Sequence, residues 1–128
     1  MEQTYENCFV CGVKNPIGLK MNFSYNKEIA IASFKLSDSY EGYTDIIHGG
    51  IVAAVLDEAM AKAILHKNIT AVTVNLNVDY KKPLKPHNIY IVEGSISAVR
   101  KKIILAQASI FDGNTVYANA TARFFIRE

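Results

Sequence analysis

The chain has little net charge, no long apolar run and only two cysteines, and each shortage closes off a class of protein. Fourteen Lys and Arg against twelve Asp and Glu leave a net charge of +2, too small to suggest a nucleic-acid surface. The longest uncharged and mainly apolar run, residues 46–56, falls well short of the roughly 20 residues that span a bilayer. The first residues lack the charged-then-apolar pattern of a secretory signal. A soluble, cytoplasmic protein is therefore expected. The cysteines, Cys8 and Cys11, stand together in "CFVCG". A C-x-x-C is half of a zinc site or a redox pair. Zinc would need two further ligands, and His48, His66 and His87 are not spaced as a matching pair. A redox motif belongs where a strand enters a helix, and no such junction lies here. What remains is a pair of small buried thiols in an N-terminal turn. No metal ion and no cofactor is expected.

Half of the 128 residues are hydrophobic, enough for one compact domain with its own core. No linker, internal repeat or low-complexity stretch divides the chain, so residues 1–128 are taken as a single domain. Residues 19–25 alternate, with Leu19, Met21, Phe23 and Tyr25 on one face, which predicts a strand. "NKE" at 26–28 predicts a turn into a second strand near 29–36. Residues 37–47 are polar and predict a loop. Residues 49–66 lack Pro and are rich in Ala, Leu and Met, a composition that favours a helix. This helix is apolar nearly all round and must be wrapped on most of its sides. In 71–80, Val72, Val74, Leu76, Val78 and Tyr80 are expected on one face, with Ala71, Thr73, Asn75, Asn77 and Asp79 on the other. Pro83 and Pro86 end that strand. Further strands are expected near 88–99, 101–111 and 115–127, with tight turns at "RKK" (100–102) and "DGN" (112–114). The order is ββαββββ. The economical architecture is α+β, a six-stranded antiparallel sheet curled around one long central helix.

The helix opens on "HGGIVAAVLDEAMA" (48–61), an apolar run interrupted by Asp57 and Glu58. An ionised carboxylate in such a setting is costly unless paired. Glu58 has Lys62 four residues on, the favourable order for a helix-surface ion pair. Asp57 has no such neighbour, because positions 53, 54, 60 and 61 are Ala, Ala, Met and Ala. Its partner is backbone, water, another part of the fold or a substrate. A partly desolvated carboxylate of this kind is either a general base or nucleophile, or a satisfied structural Asp. His48, Gly49 and Gly50 stand where first-turn amides point outward and the helix dipole favours negative charge. That suits a developing oxyanion. Taken alone, the motif more often marks a tight loop-to-helix turn with His48 as a cap or a bonded core residue. Gly49 and Asp57 are eight residues apart, about 12 Å at 1.5 Å per residue. If both act on one carbon, they must come from different chains of a two-fold dimer.

"HGGIVAAVLDEAMA", together with "CFVCGVKNPIGLKMNF" and "VNLNVDYKKPLKP", resembles the hotdog-fold acyl-CoA thioesterases, in their phenylacetyl-CoA (PaaI-like) branch. The resemblance runs through most of the chain. It implies a dimer, or a dimer of dimers, with sheets joined edge to edge and active sites between subunits. It implies Asp57 as base or nucleophile on a thioester and the Gly49 N–H on the thioester oxygen. It further implies His48 as a substrate-positioning residue and Thr73 as the hydroxyl that assists water. Several relatives carry an amide residue, usually Asn, about where Gly42 stands. Its absence implies lower activity, a substitute such as Thr44 or Asp45, or a different substrate. Coenzyme A phosphates need cations, for which Lys81, Lys82, Lys85, Arg100, Lys101 and Lys102 are candidates, although for any one of them an ordinary solvated loop charge is the commoner case. The expected activity is hydrolysis of a small or medium acyl-CoA. The rivals are a non-catalytic acyl-CoA-binding protein and a dehydratase or hydratase on the same fold. No nucleic acid or membrane is expected as a partner.

Overall fold

The computed structural model describes residues 5–127. Its regular elements are β1 (Ser24–Asn26), β2 (Ile29–Lys35), a single 3-10 turn (Asp38–Tyr40), α1 (Gly49–Leu65), β3 (Ala71–Tyr80), β4 (Ile89–Arg100), β5 (Ile103–Asp112) and β6 (Thr115–Ile126). The strands form one antiparallel sheet in the order β1-β2-β4-β5-β6-β3. The expected element order and antiparallel pairing are observed. No helix among the described residues is long and apolar enough to cross a membrane.

The first strand is shorter than the alternation of residues 19–25 implied. Leu19 and Met21 donate their amides to the carbonyls of Phe9 and Val10, so this stretch pairs with the N-terminal loop instead of the sheet. Lys20, at φ 55°, breaks the extended path between them. The alternation survives as burial, with Met21 buried and Leu19 and Phe23 half-buried. The turns expected at 26–28, 100–102 and 112–114 are present. Each carries a left-handed residue: Lys27, Lys101 and Gly113, the last at φ 59°.

Helix α1 buries Val52, Val55, Leu56, Ala59, Met60, Ala63 and Ile64, a 3-4 spacing that makes one continuous stripe. The stripe lies on the sheet's inner face beside Val92, Ile104, Ile110, Ala118 and Phe124. Contact is closest at Gly94 of β4, where an added Cβ would stand 2.4 Å from the Ala59 backbone. Only glycine permits that approach. The helix is therefore covered on one stripe; Gly49 and Gly50 at its start are exposed, and Ala53, Ala54, Asp57, Glu58 and Lys62 are half-buried. Asn68, at φ 61°, ends the helical segment in the left-handed conformation.

Strand β3 corrects the expected alternation. Thr73 pairs with Phe124 and Asn75 with Arg123, so Val74 is an extra residue in the ladder. A bulge of this kind moves the following side chains to the opposite face. Thr73 therefore looks inward at α1, as do Leu76 and Val78 beyond the bulge. β3 is also a sheet edge, with Val72, Val74 and Tyr80 42%, 57% and 56% exposed.

Candidate active site

The entrance to α1 is built by His48, which caps the helix with its own ring. Its Nδ1 accepts the Gly50 N–H at 2.8 Å, and its carbonyl accepts the amides of Ile51 and Val52 at 3.0 and 3.2 Å. Nδ1 as acceptor leaves the neutral ring's proton on Nε2. The ring therefore offers a donor, not a base, to the cleft it lines with Ser39, Tyr40 and Ile51. Three of the first four helical amides are thus used internally. The Gly49 N–H is the exception and has no acceptor among the described residues. The Gly49 carbonyl is held from the other side, where the Tyr80 hydroxyl donates to it at 2.8 Å. Gly49 borders a cleft of about 280 Å³ shared with Ile46, Val52, Tyr80, Lys81 and Lys82.

Two turns along α1, Asp57 meets β3. The Thr73 hydroxyl donates to Asp57 Oδ1 at 2.7 Å, a contact made possible by the bulge at Val74. Burial pushes the Asp57 carboxyl above its usual range. The Thr73 bond opposes this, and the charge of Glu58 adds to it. Desolvation of this kind makes a carboxylate a stronger base. Its partner is thus supplied by the fold, and one carboxylate oxygen is not engaged by Thr73.

The neighbouring acid behaves otherwise. The ion pairs found among the described residues are Lys14–Glu6, Lys67–Glu28 and Lys85–Asp45, and the Glu58–Lys62 pair expected on the helix is not formed. Glu58 instead accepts from the Cys8 thiol at 3.5 Å. The Lys62 ammonium stands 4.0 Å over the Tyr5 ring. Cys8 and Cys11 lie in an N-terminal turn, as expected, but half-buried and free.

Around the motif, Gly42 sits against His48, where an added Cβ would meet the His48 Cα at 3.3 Å. Asp45 pairs through Oδ2 with Lys85 at 3.1 Å. Thr44 is exposed. Of the basic residues considered for phosphates, Lys81 and Lys82 border the Gly49 cleft. Arg100, Lys101 and Lys102 lie at the β4–β5 turn, at the other end of the sheet from Tyr80. Sequence reasoning missed Tyr80 as the residue that braces Gly49. Its phenol at the end of an otherwise aliphatic face was the available signal.

A six-stranded antiparallel sheet packed against one long helix is the architecture of the hotdog class. Residues 44–118 match the family described as the thioesterase superfamily, and the chain belongs to that family. It is 26% identical over 120 residues to mouse acyl-coenzyme A thioesterase THEM4, covering 91% of this chain and 52% of the relative. The chain thus spans about half the length of the curated relatives it matches. Among solved structures it resembles smu.793 from Streptococcus mutans UA159 bound to acetyl CoA, with TM-score 0.78, 18% identity, and coverage of 84% of this chain and 88% of the other. It also resembles the E. coli PaaI protein from the phenylacetic acid degradation operon, with TM-score 0.78, 16% identity and coverage of 84% and 83%.

Proposed function

We propose that this protein hydrolyses the thioester of a small or medium acyl-CoA, and that it does so as a two-fold dimer. The observation that carries the reading is the pairing on one helix of an unpartnered first-turn amide, Gly49 N–H, with a burial-shifted carboxylate, Asp57. The name of mouse THEM4 and the acetyl CoA bound to the Streptococcus mutans protein support a CoA thioester as substrate.

In this mechanism the thioester oxygen accepts the Gly49 N–H, where the helix dipole stabilises the growing negative charge. The His48 Nε2–H helps hold the acyl-CoA. Asp57 takes a proton from a water that attacks the carbonyl carbon. Collapse of the tetrahedral intermediate breaks the C–S bond, and the CoA thiolate leaves and recovers the proton. Direct attack by the free Asp57 oxygen is the alternative first step, through an anhydride that water then opens. Thr73 orients the carboxylate in either route. Lys81 and Lys82, beside the Gly49 cleft, take CoA phosphates.

Gly49 and Asp57 of one chain are about 12 Å apart along the helix axis, too far to serve one carbon. The edge strand supplies the remedy. Gly49 lies at the Tyr80 end of β3 and Asp57 at the Thr73 end. Antiparallel pairing of two β3 edges about a two-fold at mid-strand sets the Tyr80 end of one chain beside the Thr73 end of the other. Gly49 of one subunit then faces Asp57 of its partner. Such pairing also covers the exposed Val72 and Val74, satisfying an edge that would otherwise invite uncontrolled association. The dehydratase reading is disfavoured by His48, whose Nδ1 is occupied and whose Nε2 carries the proton, leaving no basic nitrogen for the substrate.

The test is thiol release from a panel of acyl-CoAs by the wild-type chain and by Asp57→Asn. Turnover that falls by roughly 10²–10⁴, the range for loss of a general base, is expected. Binding of acyl-CoA without release by the wild type would leave a binding protein instead.

A further inference from the structure

The motif "CFVCG" has no part in the hydrolysis, yet the fold builds around it with care. Cys8 donates its amide to the Tyr5 carbonyl at 3.0 Å, and Gly12 donates to the Cys8 carbonyl at 2.9 Å. A Cβ on Gly12 would lie 2.4 Å from both the Cys8 nitrogen and the Glu6 oxygen, so the turn closes only with glycine. This closure brings the two sulfurs together, with the Cys11 amide directed at the Cys8 sulfur at 3.5 Å. The middle of α1 then contributes a third donor, Glu58. The ligating atoms of Cys8, Cys11 and Glu58 all lie within 4.8 Å of one another. Tetrahedral zinc, with bonds of about 2.3 Å to sulfur and about 2.1 Å to oxygen, separates its ligand atoms by roughly 3.6–3.8 Å. The Cys8–Glu58 separation of 3.5 Å already has that size.

We propose that Cys8, Cys11 and Glu58 form a binding site for a thiophilic divalent cation, zinc by the chemistry of its donors, that fastens the N-terminal loop to α1. The fourth position faces the adjoining cavity of about 230 Å³ and is filled by water. On binding, the two thiols release their protons to solvent and the three anionic ligands leave the centre with one net negative charge. Lys62, beside the same cavity, offsets that charge. A divalent cation relieves the crowding of two thiols and a carboxylate at this point. The site was not legible in the chain because its third ligand lies 47 residues beyond Cys11 in the sequence, on a residue with an apparent partner in Lys62. The proposal does not depend on the hydrolytic reading.

The experiment uses the full chain, stripped with a chelator and titrated with zinc against a competing indicator dye, and separately with cobalt(II). One ion per chain is expected, with thiolate-to-cobalt charge-transfer absorption and the visible bands of a tetrahedral centre. Glu58→Gln weakens zinc binding at least tenfold, and the double variant Cys8→Ser/Cys11→Ser abolishes the cobalt bands. Asp57→Asn leaves zinc binding unchanged. The cobalt spectrum of the unmutated chain needs no variant to fold. Failure to take up one zinc per chain, cobalt bands without thiolate character, or uptake that survives the double substitution would each overturn the site.

Discussion

Asp57 and Glu58 are adjacent in sequence and differ in everything that decides their chemistry. Asp57 turns toward β3 and receives a hydroxyl, whereas Glu58 turns toward the N-terminal loop and receives a thiol. Because burial raises the folded-state pKa of Asp57, its contribution to stability is favourable below its unfolded-state pKa. That contribution is lost as pH rises through the folded value. Above that value the ionised group weighs against the fold. Asp57→Asn, whose amide oxygen still accepts from Thr73, should therefore melt no lower than wild type at pH 7 while its turnover collapses. A lowered melting temperature would mark Asp57 as structural. Thr73→Val tests the other side of the same contact. In the proposed mechanism activity requires the ionised carboxylate, so the rate should fall as pH drops through its pKa. Losing the hydroxyl bond removes the influence that lowers that pKa, so the acidic limb of the kcat/KM profile should move to higher pH. An unmoved limb with reduced rate would confine Thr73 to packing.

At the scale of elements, the helix and the sheet come closest at one crossing. Gly94 admits the Ala59 backbone where any side chain would stand at 2.4 Å. Gly94→Ala should destabilise the protein by about 1–3 kcal/mol or more, as overpacking does, measured by denaturant unfolding. An unchanged midpoint would mean that α1 can slide on β4. The bulge in β3 is the second device at this scale. It turns Thr73 to the helix while keeping Leu76, Val78 and Tyr80 on the inner face. One inserted residue thus lets a single strand serve the core, the acid and the helix entrance.

At the scale of the whole molecule, the prediction concerns which chains share a site. One chain carries Asp57→Asn and the other Gly49→Pro. Proline removes the N–H and is tolerated at the first helical position. His48, at φ −56° and ψ 134°, already has the extended backbone a residue before proline needs. A Cβ on Gly49 meets nothing closer than the Tyr80 hydroxyl at 3.5 Å. Each variant should be inactive alone, with circular dichroism confirming the fold. Refolded together in equal amounts, half of the dimers are mixed, and in each of these one site receives an intact Asp57 and an intact Gly49. About a quarter of all sites should recover, given random pairing across a symmetric interface. Mixed dimers seen by mass spectrometry without recovered activity would refute the shared site.

The order of elements and the long helix were legible in the chain. The same was true of five of the six strands in nearly full length, because hydrophobic period and turn residues are local properties. So were His48, Gly49 and Asp57 as candidates, since a polar residue interrupting an apolar helix shows without any knowledge of its surroundings. Residues 19–23 were misjudged because their backbone partners lie in the loop at Phe9 and Val10, and alternation records burial without naming the partner. The face of Thr73 was misjudged because a bulge is a property of two paired strands, and one strand alone does not reveal it. Glu58 was matched to the wrong partner for a related reason. Spacing along a helix shows which side chains are near, but desolvation and competing donors from distant segments decide which of them bond. Local covalent geometry thus determined the elements. Contacts between residues far apart in the chain, which only the tertiary fold creates, decided which of their groups were left open to act.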